Sequence, residues 1–178
     1  HPDWVRGVGV YGPTFRYDGW ATPWYARFAG LLAPLVLRLG LGRRRMVHET
    51  EPYGLRDERL RAQVSASMLG GDSAAAGLPG NPWPSLAEMY RLTALARRQL
   101  PQVTAPCLVA HALEDDVASV ENAYLVERTV SGPVEMLLLD DSYHMITIDR
   151  ERRTVIARSA EFFGRLAAQG MPMPRAAA

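Results

Sequence analysis

Lysine is absent from this 178-residue sequence, so arginine carries all of its formal positive charge. The 20 basic residues are balanced by 19 acidic ones, which gives a net charge of +1. A nucleic-acid-binding surface needs a marked basic excess, because it must neutralise phosphates. The charge balance therefore argues against a nucleic-acid partner. We attribute the abundance of arginine and alanine to a genomic composition bias rather than to a function.

Cysteine and long apolar runs are also scarce. Cys107 is the single cysteine, so no disulfide can form within the chain, and we expect a reducing, cytoplasmic location. The longest apolar run, from Phe28 to Leu37, is interrupted by Gly30 and Pro34. It is shorter than the roughly 20 residues that a membrane-spanning helix requires. We therefore expect no membrane span.

The first residues show neither an initiator methionine nor the pattern of a signal peptide. His1 is not an initiator methionine, and no basic region followed by an apolar signal core is visible. Valine and glycine predict a strand from Val5 to Tyr11, but no helix or hairpin partner precedes it. We expect this strand to present an unpaired apolar edge, which favours self-association and poor solubility.

Residues 14–100 are predicted to form an inserted helical cap. Helical patterns over 26–39, 55–68 and 86–100 are separated by proline and glycine, and no convincing strand is visible. The segment 70–85, rich in small and polar residues, is predicted to be a long loop, and loops of this length are usually functional or mobile.

The remaining sequence alternates between strand and helix patterns. Strands are predicted at 106–111 and 134–139, a helix capped by Ser119 lies between them, and a final helix capped by Asp149 comes after the second strand. This order is typical of a parallel α/β unit. We therefore assign 1–13 and 101–168 to an α/β core and predict that 169–178 is disordered.

Polar residues come directly after both of these strands. Asp115 and Asp116 come after the first strand, and His144 comes shortly after the second. Because parallel strands end at the same edge of a sheet, an acid and a histidine should meet there. This pattern is typical of the second half of a nucleophile–histidine–acid triad. In such a triad the carboxylate fixes the imidazole tautomer and the imidazole accepts the nucleophile's proton.

Three segments carry a resemblance to α/β-hydrolases of the carboxylesterase and monoacylglycerol-lipase type. Residues 108–119, together with Asn122 and Ala123, resemble the acid segment of that family, and 140–149 resemble its histidine segment, often written Ser-x-His-x-Ile-Thr-x-Asp. The opening His-Pro-Asp and the valine-rich strand are similar to the family segment that comes after the nucleophile helix. The resemblance implies a partial α/β-hydrolase fold made of the last three parallel strands, their helices and the cap. It assigns Asp115 as the triad acid and His144 as the base, and no cofactor or metal.

Two family features are missing from these 178 residues. The family nucleophile is a serine in a Gly-x-Ser-x-Gly turn, and this sequence contains no such turn. Ser67 in Ser-Ala-Ser-Met-Leu-Gly-Gly resembles this turn only loosely, because it lacks the flanking glycines and does not come after a strand. The oxyanion-hole motif is absent as well. We therefore expect the chain alone to be inactive.

Several alternatives remain open at this point. His144 could be a satisfied histidine without a catalytic role, Asp116 could replace Asp115, and the acids together with His111 could be imagined as metal ligands. Asp140 and Asp141 are interpreted as residues that hold the loop of His144. The large apolar residues of the cap suit either an acyl pocket or a cap core; they are Trp20, Trp24, Tyr25, Phe28 and Leu31.

The resemblance implies an esterase or lipase-type serine hydrolase that acts on a lipophilic small-molecule ester. A second possibility keeps the fold but cleaves a non-ester bond, such as carbon–halogen or carbon–carbon. A third is a non-catalytic or truncated α/β-hydrolase-like module.

Overall fold

Three parallel strands form the central sheet of the computed structural model, which describes residues 4–39, 42, 44–71 and 77–169. The strands are β1 (Val8–Tyr11), β4 (Cys107–Ala112) and β5 (Val134–Leu139), in the order β1-β4-β5. Cys107 pairs with Val8 on one side and with Val134 on the other, so the strands start level. Their carboxyl ends therefore meet at one edge of the sheet.

Five α-helices, two short 3-10 helices (Trp24–Phe28 and Leu100–Gln102) and a second, two-stranded sheet complete the described elements. The α-helices are α1 (Ala29–Arg38), α2 (Glu58–Leu69), α3 (Trp83–Gln99), α4 (Glu121–Thr129) and α5 (Arg152–Ala168), and the small sheet pairs β2 (Met46–His48) with β3 (Gly80–Pro82). None of the helices in the described part of the chain has both the length and the apolar character to cross a bilayer.

The two faces of the sheet bury different apolar clusters. Successive side chains of a strand point to opposite faces, and β4 is buried at every position because it lies between two strands and two layers of helix. On one face Val109 packs with Ala123 and Val126 of α4, whereas on the other Ala110 packs with Val155 of α5. The predicted α/β class with a parallel sheet is confirmed.

Parts of the predicted cap architecture are wrong. The small sheet occupies a region where no strand was expected, and the long loop predicted over 70–85 contains β3 and the first turn of α3. Three-residue strands are too short to show an alternating pattern of polar and apolar residues. They become recognisable only from their pairing with each other in the structure. At Gly80 a Cβ atom would lie 2.7 Å from the carbonyl oxygen of Val47, which explains the glycine. Pro84 is at the start of α3, where a missing N–H costs nothing.

Both predicted helix caps are also wrong. Helix α4 begins at Glu121 after Val120, and α5 begins at Arg152 after Glu151, and neither start is capped by a side chain. Asp149 instead binds backbone groups outside its own helix.

The boundaries of the predicted cap stay a prediction, although its flanks contact the core closely. The N–H of Gly19 donates to the carbonyl of Val117, and the N–H of Ala21 donates to that of Asp116. The tail expected to be disordered lies outside the described residues from position 170 onward.

Candidate active site

Asp115 and His144 meet at the carboxyl edge of the central sheet. Strand β4 ends at Ala112 and β5 at Leu139, and the loops after these strands place Nδ1 of His144 2.8 Å from Oδ2 of Asp115. The Asp115 side chain is completely buried, whereas that of His144 is 22% exposed. The pair is therefore open to solvent only on the histidine side.

The loop after β4 holds the Asp115 carboxylate by its other oxygen. Oδ1 accepts hydrogen bonds from the N–H groups of Val117 and Ala118, both at 2.8 Å. These bonds fix the side chain in one orientation and leave Oδ2 for the imidazole. Because an ionised carboxylate can only accept, Nδ1 of His144 must carry the proton in this contact.

The His144 ring is tuned by opposing effects. Its partial burial lowers its pKa, but the hydrogen bond to Asp115 and the negative charges of Asp115 and Asp116 outweigh this effect, so the pKa is raised from its ordinary value. No described residue makes a hydrogen bond to Nε2. With Nδ1–H bound to Asp115, the Nε2 lone pair is available to accept a proton.

Asp116 binds the backbone around the histidine and does not contact its ring. Its Oδ1 accepts the N–H of His144 at 3.3 Å, and its Oδ2 accepts the N–H of Gly54 at 3.0 Å. Burial raises the pKa of this carboxyl, although both backbone hydrogen bonds oppose the shift. Of the two adjacent acids, Asp115 is the one that faces the imidazole.

Asp149 and Glu151 support the histidine loop, and sequence reasoning did not find this role for either of them. The buried carboxylate of Asp149 accepts the N–H groups of Tyr143, Arg56 and Asp57 at 2.8, 2.8 and 2.9 Å. Glu151 accepts the Asp141 N–H and the Ser142 hydroxyl at 2.8 and 3.0 Å.

Asp140 and Asp141 lie on the outer side of this loop. Arg56 donates to the Asp140 carbonyl at 3.1 Å and forms ion pairs with Glu114 and Asp141 at 2.8 and 3.2 Å. Asp141 also pairs with Arg150 at 2.9 Å. The side chains of Asp140 and Asp141 are exposed, so the buried attachments of the loop come from other acids.

The aromatic residues of the predicted acyl pocket lie in two places. Trp20 lies near the acid loop, where its Nε1–H donates to the Glu114 carbonyl at 2.9 Å and its ring meets that of Tyr143 edge to face. Trp24 contacts Tyr25 and Phe28 edge to face, and all three are exposed to solvent. The Leu31 side chain lies outside the described part of the chain.

Phe28 also borders a groove of about 970 Å³ between the segment after β1 and helix α3. Other residues that line this groove are Phe15, Tyr17, Tyr90, Arg97 and Arg98.

Two other sequence candidates find no support in the geometry. Ser67 lies in the last turn of α2, and the hydrogen bonds of His144 go to Asp115 and Asp116 instead. Within the described ranges, no three histidine, cysteine or acidic side chains are grouped in a way that could hold a metal ion.

A parallel sheet covered by helices, with an acid and a histidine at its carboxyl edge, is the arrangement of an α/β-hydrolase core. Family comparison agrees: residues 1–151 match the family described as serine aminopeptidase, S33, and the chain belongs to this family of α/β-hydrolases.

Known relatives of the chain include monoacylglycerol lipases. The thermostable monoacylglycerol lipase of Bacillus sp. (strain H-257) is 33% identical over 85 residues, which is 47% of this chain and 34% of that protein.

Two solved structures share the fold at low sequence identity. The monoacylglycerol lipase of Paleococcus ferrophilus matches with a TM-score of 0.68 at 16% identity, over 95% of this chain and 61% of that one. A soluble variant of the Saccharomyces cerevisiae monoglyceride lipase, solved with a substrate analog, matches with a TM-score of 0.70 at 14% identity, over 91% and 56% of the two chains. The chain thus spans only part of the length of its relatives.

Proposed function

We propose that this chain provides the acid and base of a carboxylic-ester hydrolase of the esterase and lipase type. Asp115 acts as the acid and His144 as the base. The observation that carries the proposal is the 2.8 Å contact between a completely buried carboxylate and a partly exposed imidazole. Membership of the S33 family and the likeness to monoacylglycerol lipases support it.

The geometry suits general acid–base catalysis at Nε2 of His144. That atom takes a proton from the nucleophile as the nucleophile attacks the ester carbonyl, and later returns it to the leaving alcohol. The imidazolium that forms in between is stabilised by the charge of Asp115, and the Nδ1–H bond keeps the ring aimed. Asp116 contributes a second nearby negative charge.

The nucleophile and the oxyanion hole are proposed to lie outside these 178 residues. The sequence contains no Gly-x-Ser-x-Gly turn, and Ser67 lies in a helix rather than at the end of a strand. We therefore propose that residues 1–178 are inactive when expressed alone.

The proposed substrate is an ester with a lipophilic acyl chain. Trp24, Tyr25 and Phe28 form an exposed aromatic cluster within 14–100, and exposed apolar clusters are suited to binding apolar ligands. We propose that 14–100 acts as the cap and that this cluster, together with Trp20, contacts the acyl chain. A cytoplasmic location stays a prediction from the single buried cysteine.

A chimaera tests the proposal directly. This chain replaces the part of the Paleococcus ferrophilus monoacylglycerol lipase that it matches in structure, 61% of that protein, so that the lipase supplies the remaining sequence, and the product is assayed with p-nitrophenyl butyrate. We expect the chimaera to turn over the ester, residues 1–178 alone to be inactive, and His144→Ala to reduce kcat by about 100- to 10,000-fold. The matched control is His48→Ala, because His48 is an exposed histidine on β2.

Two results would contradict the proposal. If His144→Ala leaves the activity of the chimaera unchanged, His144 is not the base. If residues 1–178 alone hydrolyse the ester and lose that activity with His144→Ala, the nucleophile lies within them. The substrate proposal is tested in the same chimaera with Phe28→Ala, which should raise KM for a long-chain ester more than for an acetate.

A separate proposal concerns self-association through the open edge of β1. In the described sheet β1 pairs with β4 alone, so its other edge is unpaired. Unpaired strand edges favour association with other chains, and we propose that residues 1–178 self-associate in solution. Sedimentation velocity over a range of concentrations tests this, and a monomer at every concentration would contradict it.

A further inference from the structure

His111 is a completely buried histidine one contact away from the proposed catalytic pair. It lies on the central strand β4, where its neighbours along the strand are apolar. Its Nε2 lies 2.9 Å from the carbonyl oxygen of Ala118 and 3.5 Å from Oδ2 of Asp115. Its Nδ1 is also buried and has no hydrogen-bond partner among the described residues.

These contacts select one protonation state of the ring. Both atoms near Nε2 are oxygens that only accept hydrogen bonds, so Nε2 must carry a proton. A proton on Nδ1 as well would be a buried donor without an acceptor, which is unfavourable. The neutral ring with Nε2–H and a bare Nδ1 satisfies the most contacts.

Burial acts in the same direction. It lowers the pKa of His111, although the charge of Asp115 and the hydrogen bond to Ala118 oppose the shift. The other groups that act on the ring are His144, which lowers the pKa further, and Asp18, which raises it. His111 therefore stays neutral where His144 titrates, and it does not compete for the charge of Asp115.

A closed set of hydrogen bonds links His111 to the acid. Ala118 donates its N–H to Oδ1 of Asp115 and accepts from His111 through its carbonyl. One of the two residues that orient Asp115 is thus itself fixed by His111. An aliphatic residue would fill the same place on β4 without leaving a buried nitrogen unpaired. Packing alone therefore does not explain why a histidine occupies this position.

We propose that His111 is a positioning residue, which holds the 115–118 loop through Ala118 and so keeps Oδ2 of Asp115 against His144. This inference rests on the proposed acid role of Asp115. It requires no ester turnover, so its test is independent of the test of the proposed function.

The experiment is histidine NMR on residues 1–178 with 15N-labelled histidine. In the wild-type chain we expect His111 to show the neutral Nε2–H tautomer throughout the pH range over which His144 titrates. In His111→Leu we expect the pKa of His144 to fall by at least about half a unit and its Nδ1–H resonance to weaken. His111→Gln should keep both, because its side-chain NH2 can still donate to Ala118.

Either of two results overturns the proposal. The first is a wild-type His111 that titrates with the ordinary pKa of histidine or carries its proton on Nδ1. The second is a folded His111→Leu variant in which the pKa and the Nδ1–H resonance of His144 are unchanged. If His111→Leu does not fold, the proposal is tested by the tautomer of His111 in the wild-type chain and by the pKa and Nδ1–H resonance of His144 in His111→Gln.

Discussion

Asp116 accepts the backbone N–H of His144, whereas the ring of that histidine is bound by the preceding residue, Asp115. Two adjacent carboxylates thus hold one histidine by different groups. Asp115 sets the tautomer of the ring, and Asp116 sets the position of the backbone from which the ring projects. The division explains why both acids are buried at the end of one strand.

Asp116→Asn should destabilise the chain although it removes a buried charge. Both carboxylate oxygens accept a backbone N–H, and an amide can offer only one acceptor oxygen, so its NH2 would face the other donor. We expect the free energy of unfolding to fall by about 1–3 kcal/mol. Urea denaturation followed by circular dichroism measures this. The control is Asp140→Asn, an exposed acid that should change the value by less than about 0.5 kcal/mol.

Asp149→Ala should be more damaging. It leaves the N–H groups of Arg56, Asp57 and Tyr143 without their acceptor in a partly buried place. We expect a loss of about 3 kcal/mol or more in the free energy of unfolding, measured by the same denaturation. Asp141→Ala removes an exposed acid with two ion pairs and should cost less than about 1 kcal/mol. Equal losses in the two variants would show that Asp149 does not anchor the loop.

Gly12→Ala should disturb His144 directly. Gly12 has a φ of +54°, and a Cβ atom there would lie 3.2 Å from the His144 carbonyl oxygen and 3.4 Å from its Cε1. We expect a cost of about 1–2 kcal/mol, together with shifted His144 resonances in NMR spectra. Gly71→Ala is the matched control, because Gly71 also has a positive φ but no atom of the described residues within 4 Å of the added Cβ. If both variants cost the same and His144 is unmoved, backbone strain alone explains the effect.

The stability that His144 contributes should depend on pH. Its pKa is higher in the folded chain than in the unfolded one, since Asp115 and Asp116 favour the charged ring. The contribution is therefore fully present below about pH 6.5, the ordinary value, and is lost as pH rises through the folded pKa.

Comparison of wild type with His144→Gln isolates this contribution, because the buried neutral His111 has the opposite pH dependence in both chains. The difference in the free energy of unfolding between the two should shrink as pH rises. A difference that is constant or grows between about pH 6 and about pH 9 would contradict the prediction.

Much of the site could be predicted because parallel strands have only one carboxyl edge. Once 106–111 and 134–139 are recognised as consecutive parallel strands, the acid after one and the histidine after the other must lie close together, and Asp115 does contact His144. The strand pattern alone leaves the choice between Asp115 and Asp116 open, and only the family resemblance assigns Asp115, because the choice depends on how the loop folds back over Val117 and Ala118.

The role of Asp149 could not be predicted for a different reason. Asp149 lies before a helix, where an aspartate is usually a cap, and its actual partners at 56 and 57 are more than 90 residues away. The β2–β3 sheet likewise depends on a pairing between 46–48 and 80–82. Local sequence patterns report local geometry, and these contacts are not local.

The turn at Gly54 restricts how the chain can change in length. Gly54 donates its N–H to Asp116 and accepts from the N–H of Met145, and a Cβ atom there would lie 2.8 Å from the Met145 side chain. One residue more or less between Pro52 and Arg56 would break the bonds to Asp116, Met145 and Asp149 together. Insertions and deletions should therefore be poorly tolerated at this turn, although it is far in sequence from the histidine loop that it supports.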